Sequence, residues 1–288
     1  MKLPLAILSI FLFVGATASA AQETPEPSIH QWGADPLEQM ALWVPEGADR
    51  VVVFLTGGGW GQTEIGQFFD PDNPKLTLPL KQLLNNGLAV AKSGYQTTEF
   101  PVPELGVSNL VAYCRSLGFN EVDLLGRSAG AHLGVFNGVV ELNPNASADR
   151  VCSIQQPLSL INLFGPQTQL PAWEHFYSVD NTVAGIPAYW QNYASSAVWP
   201  TLLPGGTNTT KFGIIGQPKP WEAPIPTLAD LTTPLPFGVL TEADKHSAIS
   251  AELQYVSLAA SGYTAEFVDT YASGESPMDA AVEWLLIN

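Results

Sequence analysis

The chain has 288 residues, 46% of them hydrophobic, and a formal net charge of −16 at pH 7. Its length and apolar content are typical of one globular domain with a large core. The excess of negative charge argues against partners that are themselves anionic, so we expect neither nucleic acids nor anionic membrane surfaces as partners.

Residues 1–20 have the pattern of a secretory signal peptide. Lys2 gives a positive start, an apolar run covers residues 5–14, and a segment of small residues ends at Ala20. The run is too short for a membrane-spanning helix, and no later segment reaches about eighteen apolar residues. We therefore predict cleavage after Ala20, a folded domain over residues 21–288, no membrane span, and a secreted or periplasmic protein.

Strand and helix patterns alternate along most of the domain. Short apolar runs predict strands, and runs with apolar residues at helical spacing that end at glycine predict helices. The predicted strands cover residues 40–44, 51–55, 88–91, 121–126, part of 151–164, 235–240 and 264–268. The predicted helices cover residues 75–86, 104–117, 247–261 and 278–286, and another begins directly after Ser128. This alternation predicts an α/β protein with a mostly parallel central sheet and helices on both faces.

One long stretch interrupts the alternation. Residues from about 166 to 230 contain many aromatic side chains among proline, asparagine, glycine and threonine. The stretch is too long for an ordinary connection, so we predict a cap or lid inserted over the site. Its aromatic side chains would line a pocket or form a separate small core.

A serine between two glycines follows one predicted strand. The segment Gly126-Arg127-Ser128-Ala129-Gly130 joins that strand to the next predicted helix. A sharp strand-to-helix turn needs small residues here, because a Cβ would collide with neighbouring chain. Such a turn presents the Ser128 hydroxyl at the top of the sheet and aims the first helical amides at a reacting carbonyl. We predict Ser128 as a nucleophile and the N–H of Ala129 as an oxyanion donor.

A second glycine segment follows the strand at residues 51–55. Thr56 precedes Gly57, Gly58 and Gly59. Consecutive glycines let backbone amides approach a ligand oxygen closely, whereas the alternative is a flexible turn. We predict Gly58 and Gly59 as further oxyanion donors.

These segments resemble the α/β-hydrolases of the esterase/lipase type, close to acetyl-xylan and feruloyl esterase-like and hormone-sensitive-lipase-like carboxylesterases. Residues 56–60 resemble the family's His-Gly-Gly-Gly-Trp, residues 126–130 its nucleophile elbow, and residues 33–45 its opening strand. The resemblance covers essentially the whole domain. It implies an α/β-hydrolase fold and cleavage of a small-molecule carboxylic ester through an acyl-serine, with no metal and no organic cofactor. The aromatic cap favours an apolar or aromatic substrate group.

A serine nucleophile needs a base, and the base needs an orienting group. The resemblance implies the chain order serine, acid, histidine, with the acid just after the strand that follows the cap. Asp244 matches that position, and Glu242 is a second candidate.

The histidine that the resemblance implies is absent from the loop after the last strand. Glu275 occupies its position, and no histidine follows His246. Three explanations stay open. His246, or His175 from the cap, supplies the base; Glu275 itself acts as the base, aided by burial or by a like charge such as Asp244; or catalysis is lost.

The third explanation gives a rival function, a non-catalytic binding protein that keeps the fold and the pocket. An ion pair between Glu275 and Arg127 at the base position would favour it. The intact Ser128 and the intact glycines 57–59 favour the enzyme.

The chain contains two cysteines, Cys114 and Cys152. In an exported protein they form one disulfide or persist as two buried thiols, and the sequence favours neither.

Overall fold

The structure is a computed structural model. It describes residues 26–57, 74–96, 102–139, 146–154, 209–216 and 262–288, together with residues 251, 255, 258 and 259. The predicted signal peptide, most of the predicted cap and the predicted strand at residues 235–240 lie outside the described residues.

Eight strands form one sheet in the described part of the chain. They are β1 Ser28–Gln31, β2 Gln39–Trp43, β3 Arg50–Leu55, β4 Ala89–Ser93, β5 Glu121–Arg127, β6 Arg150–Ile154, β7 Lys211–Gly216 and β8 Thr264–Asp269. Their spatial order in the sheet is β1-β2-β4-β3-β5-β6-β7-β8. The β1–β2 and β2–β4 pairs are antiparallel, and the other five pairs are parallel, which confirms the mostly parallel sheet.

Helices cover both faces of this sheet. Side chains of β3 alternate between the faces, so Val51, Val53 and Leu55 pack on one side and Val52 and Phe54 on the other. The described helices are α1 Pro74–Asn85, α2 Val102–Ser116, α3 Ala129–Val139, α4 Thr270–Ser273 and α5 Pro277–Ile287. The core on the side of Val51, Val53 and Leu55 includes residues of α2 and α3, and the core on the other side includes residues of α1 and α5. A strand covered on both faces is expected to be continuously apolar, as β3 is.

The two cysteines are free and buried on opposite sides of the sheet. Cys114 belongs to the core under α2 and α3, and Cys152 to the core under α1 and α5. Burial raises the pKa of the Cys114 thiol to about 12 and raises that of Cys152 further. The disulfide alternative is therefore wrong, because the sheet separates the two sulfur atoms.

Two strands differ from the sequence expectations. Lys211–Gly216 forms β7 between β6 and β8, although these residues lie inside the range of about 166–230 predicted as a cap. Its short run, Phe-Gly-Ile-Ile-Gly, stands in an aromatic and proline-rich context that masks a strand pattern. The antiparallel edge strand β1 was not expected either, because its four residues are largely exposed. The rest of the cap range stays a prediction.

A buried ion cluster, which we call the amino-end cluster, ties the start of three parallel strands together. Asp123 of β5 is fully buried and accepts hydrogen bonds from Arg50 Nε at 2.6 Å and from Arg150 Nη1 at 3.0 Å. Arg150 also contacts Glu121 at 2.7 Å, and Arg50 donates to the carbonyl of Leu285 in α5 at 2.6 Å. Burial raises the pKa of the Asp123 carboxyl, and both arginines oppose that shift by favouring its charged form.

Candidate active site

Ser128 lies in a strained turn at the carboxyl end of β5. Its φ of 52° places it in the left-handed region, and it is the one described residue other than glycine with a positive φ. Its N–H donates to the carbonyl of Ile154 at 3.0 Å, and its carbonyl accepts from the N–H of His132 at 3.1 Å in the first turn of α3. A serine costs energy in this region and persists only where the surroundings impose it. The structure thus places Ser128 in the elbow that the sequence predicts.

The two flanking glycines explain how the turn is possible. A Cβ on Gly126 would lie 2.5 Å from the Cα and 2.6 Å from the backbone nitrogen of Ala131. A Cβ on Gly130 would collide with the carbonyl oxygen of Leu55 and lie 2.7 Å from that of Thr56. These neighbours are backbone atoms that cannot move aside easily. The strand β3, the strand β5 and the helix α3 can therefore meet only where both positions carry glycine.

The segment that follows β3 lies directly against Ser128. A Cβ on Gly57 would be 2.9 Å from Ser128 Cβ, 3.2 Å from the carbonyl oxygen of Arg127 and 3.6 Å from Ser128 Oγ. The structure therefore brings the start of the glycine segment to the elbow, although about seventy residues separate them in sequence. Gly58 and Gly59, the predicted oxyanion donors, lie outside the described residues.

Ala129 begins α3 and is buried beside Ser128. The first N–H groups of a helix have no carbonyl partner within that helix, and the helix dipole makes this end attractive to negative charge. The position therefore suits an N–H that stabilises an oxyanion.

Buried polar side chains that the sequence analysis did not single out for the site lie beneath the elbow. The hydroxyl of Tyr95 donates to the carbonyl of Thr56 at 2.9 Å, and both residues are buried. Glu104 in α2 is fully buried, and its Oε1 lies 3.8 Å from Nδ1 of His132. The one signal in the sequence was the position of Tyr95 shortly after the predicted strand at residues 88–91. The contacts themselves join segments that are distant in sequence, so no local pattern indicates them.

His132 is not available as the catalytic base. It is fully buried, and burial lowers its pKa to about 3, so the imidazole is neutral near pH 7. Its ring lies among the core side chains of α3 and contacts Phe136, with ring centres 6.2 Å apart. His132 therefore supports the elbow from below.

Glu275 follows β8 and α4 at the same edge of the sheet as Ser128. Gly274, with a φ of 69°, turns the chain before it, and the N–H of Glu275 donates to Ser273 Oγ at 3.2 Å. Because β8 is three strands from β5, their ends are about 14 Å apart. A loop must bridge that distance for Glu275 to act on Ser128.

No ion pair joins Glu275 to Arg127 among the described residues, whereas Arg127 is exposed at the elbow.

The other predicted members of the site lie outside the described residues. These are the predicted acid Asp244 with its alternative Glu242, and the candidate bases His246 and His175. Their roles stay predictions.

No protein-family model matches the sequence, and no curated protein matches it significantly. Solved structures do match it over most of its length. A hyperthermophilic esterase from the archaeon Pyrobaculum calidifontis has a TM-score of 0.54 at 15% identity, over 93% of this chain and 86% of that one. A truncated carbohydrate esterase from gut microbiota has a TM-score of 0.53 at 14% identity, over 91% of this chain and 96% of that one.

A third similar structure is an acetyl ester-xyloside bifunctional hydrolase from Caldicellulosiruptor lactoaceticus. It has a TM-score of 0.53 at 11% identity, over 92% of this chain and 97% of that one. At such identities the likeness establishes the fold, while function depends on the site. Together with the strand order, it confirms the α/β-hydrolase fold that the sequence predicts.

Proposed function

We propose that this protein is an exported serine hydrolase that cleaves a carboxylic ester through an acyl-enzyme on Ser128. The observation that carries the proposal is the contact between two separate segments: Ser128 at a φ of 52°, with Gly57 packed against it. A strained serine beside the first residue of a glycine segment is an arrangement suited to acyl transfer. The esterases of similar structure support the same choice of reaction.

In the proposed reaction, Ser128 Oγ attacks the acyl carbon while a base takes its proton. The carbonyl oxygen becomes an oxyanion, which the N–H groups of Ala129, Gly58 and Gly59 stabilise. The tetrahedral intermediate collapses, the proton passes to the leaving alcohol, and water then hydrolyses the acyl-serine to release the carboxylic acid. This chemistry uses neither a metal nor an organic cofactor.

Either of two groups is the base in this proposal, and Asp244 is the orienting acid. His246 follows Asp244 by two residues, and Glu275 occupies the loop after the last strand. The variants His246→Ala and Glu275→Gln separate them, because the loss of the base lowers kcat far more than the loss of a neighbouring group.

The substrate that we propose is a small ester with an apolar or aromatic group, recognised by the aromatic residues of the predicted cap. The proposed location, secreted or periplasmic, depends on the predicted signal peptide at residues 1–20. No helix in the described part of the chain is long and apolar enough to cross a membrane.

The test is hydrolysis of p-nitrophenyl acetate and longer acyl esters by the purified protein and by Ser128→Ala. We expect kcat/KM to fall by at least about 1,000-fold in this variant. The matched control is Ser116→Ala, which removes an exposed hydroxyl at the end of α2 and should leave the rate unchanged. Equal rates in the wild type and in Ser128→Ala would contradict the proposal.

The absence of a histidine after β8 favours a second candidate function, a binding protein that has lost proton transfer. This alternative predicts background hydrolysis in all three proteins and saturable binding of an unreactive ester analogue. Retained binding with no turnover would favour it over the enzyme.

A further inference from the structure

We propose that Tyr95 is a positioning residue, which holds the Thr56–Gly57 peptide against the nucleophile through its hydroxyl. The consequence for catalysis rests on the proposed function, whereas the positioning itself does not. Nothing in the serine hydrolase mechanism as described above uses this side chain.

The contact that carries the proposal is a buried hydrogen bond. Tyr95 follows β4 by two residues, its ring is fully buried, and its hydroxyl donates to the carbonyl of Thr56 at 2.9 Å. Thr56 is the first residue after β3 and is itself buried. The hydrogen bond therefore joins the ends of two neighbouring strands at the edge where Ser128 lies.

The hydrogen bond to the carbonyl of Thr56 also constrains the position of the next residue, Gly57. The peptide group is planar and trans, so the carbonyl of Thr56 and the N–H of Gly57 lie in one plane and point in opposite directions. Gly57 has little freedom to compensate, because Ser128 and the carbonyl of Arg127 fill the space where a Cβ of this residue would lie. Fixing Thr56 thus fixes where the glycine segment begins relative to the nucleophile.

The surroundings keep the phenol in the form that donates. Burial, reinforced by the nearby charge of Glu104, raises the pKa of Tyr95 above its usual range. Glu104 lies in turn 3.8 Å from His132, which stands one helical turn after Ser128. The end of β4, the helix α2 and the first turn of α3 therefore converge beneath the nucleophile.

Tyr95→Phe tests the proposal, because it removes one hydroxyl and keeps the ring. Its matched control is Tyr263→Phe, since the hydroxyl of Tyr263 also donates to a carbonyl, that of Val139 at the far end of α3, at 3.2 Å. Each variant loses one hydrogen bond to a backbone carbonyl, so each should lower the urea midpoint of unfolding by a similar, small amount. If the two variants lose equal stability, a difference between them in the mobility of Gly57 or in kcat comes from the local contact and not from general destabilisation.

Two measurements distinguish positioning from general support. In the full-length protein, we expect the NMR order parameter of the Gly57 amide to fall from about 0.85 toward 0.6 in Tyr95→Phe and to stay unchanged in Tyr263→Phe. With p-nitrophenyl acetate, we expect kcat to fall by about 10- to 100-fold in Tyr95→Phe, with KM within about twofold of the wild type.

An unchanged Gly57 order parameter in Tyr95→Phe would overturn the inference. So would a kcat equal to that of Tyr263→Phe in an active enzyme. If the wild type shows no turnover, the proposed function fails by itself, and the order parameter still decides whether Tyr95 positions Gly57.

Discussion

The two ends of β5 are built on opposite principles. At its amino end, Asp123 is surrounded by the arginines of the amino-end cluster, and the charges neutralise one another. At its carboxyl end, Ser128 has a strained backbone, and it is flanked by glycines packed against the backbone of neighbouring segments. One end holds strands together, and the other carries the serine that we propose as the nucleophile.

This contrast distinguishes the structural end of the strand from the end where we propose the reaction. Charged groups that satisfy one another are inert, however well they are buried, whereas a strained residue must be maintained by everything around it. In open α/β sheets, ligands bind outside the carboxyl ends of the strands, which is the end where the strain lies here.

The largest effect should come from breaking the close packing at the carboxyl end. In Gly130→Ala the new Cβ meets the backbone of Leu55 and Thr56, so we expect a loss of at least about 4 kcal/mol of unfolding free energy in urea, or no folded protein. The control is Gly134→Ala in the same helix, where the nearest atom is a methyl group of Val151 at 3.3 Å. It should change stability by less than about 1 kcal/mol, and similar losses in the two variants would contradict the account.

The amino-end cluster should affect stability without affecting the reaction. Asp123→Asn leaves two arginines without a buried counter-charge, and we expect a loss of about 3 kcal/mol in urea unfolding. Its control, Glu121→Gln, concerns a half-exposed carboxylate and should cost less than about 1 kcal/mol. In the folded Asp123 variant, hydrolysis should keep the wild-type rate, and a loss of kcat out of proportion to the unfolded fraction would connect the two ends of β5.

The buried imidazole beneath the elbow predicts a pH dependence. The pKa of His132 is about 3 in the folded protein, against about 6.5 when unfolded, so between these values only the unfolded chain binds the proton. The contribution of His132 to stability is therefore largest above pH 6.5 and falls as the pH is lowered toward 3. From pH 6.5 to 4.5 the wild type should lose about 2 kcal/mol more than His132→Gln. Parallel stability curves for the two proteins would contradict this assignment.

The smallest expected effect is that of a reducing agent. Because Cys114 and Cys152 are free on opposite sides of the sheet, dithiothreitol should not change Tm. A thiol reagent should react slowly with the native protein and find both thiols in guanidinium chloride. A Tm that falls on reduction would indicate a disulfide and contradict the separation by the sheet.

The sequence was sufficient for most of the sheet because its strands have strong local patterns. Local patterns in the sequence indicate the continuous apolar run of β3, the strand pattern of β5 that ends at Gly126, and the final helix α5. The sequence did not predict the short strand β7, since its few apolar residues lie in an aromatic, proline-rich context. These residues form a strand because they pair with β6 and β8 on either side.

The candidate site likewise contains residues that local motifs predict and contacts that they do not predict. Ser128, Ala129 and the glycine segment follow from local motifs, and the structure places Ser128 and Gly57 together. The hydrogen bond from Tyr95 to Thr56 and the approach of Glu104 to His132 depend on how distant segments pack, which a single sequence does not encode in any short pattern. For Glu275 the difficulty is chemical, because a carboxylate in that loop serves equally as a base or as a surface residue.

The most direct test of the central claim is covalent labelling of Ser128 by a fluorophosphonate, followed by mass spectrometry of the intact protein and its peptides. The account predicts one adduct per chain, located on the peptide that contains Ser128, and none in Ser128→Ala. A native wild-type protein that gains no adduct at Ser128, or an adduct that persists in Ser128→Ala, would contradict the assignment of Ser128 as the nucleophile.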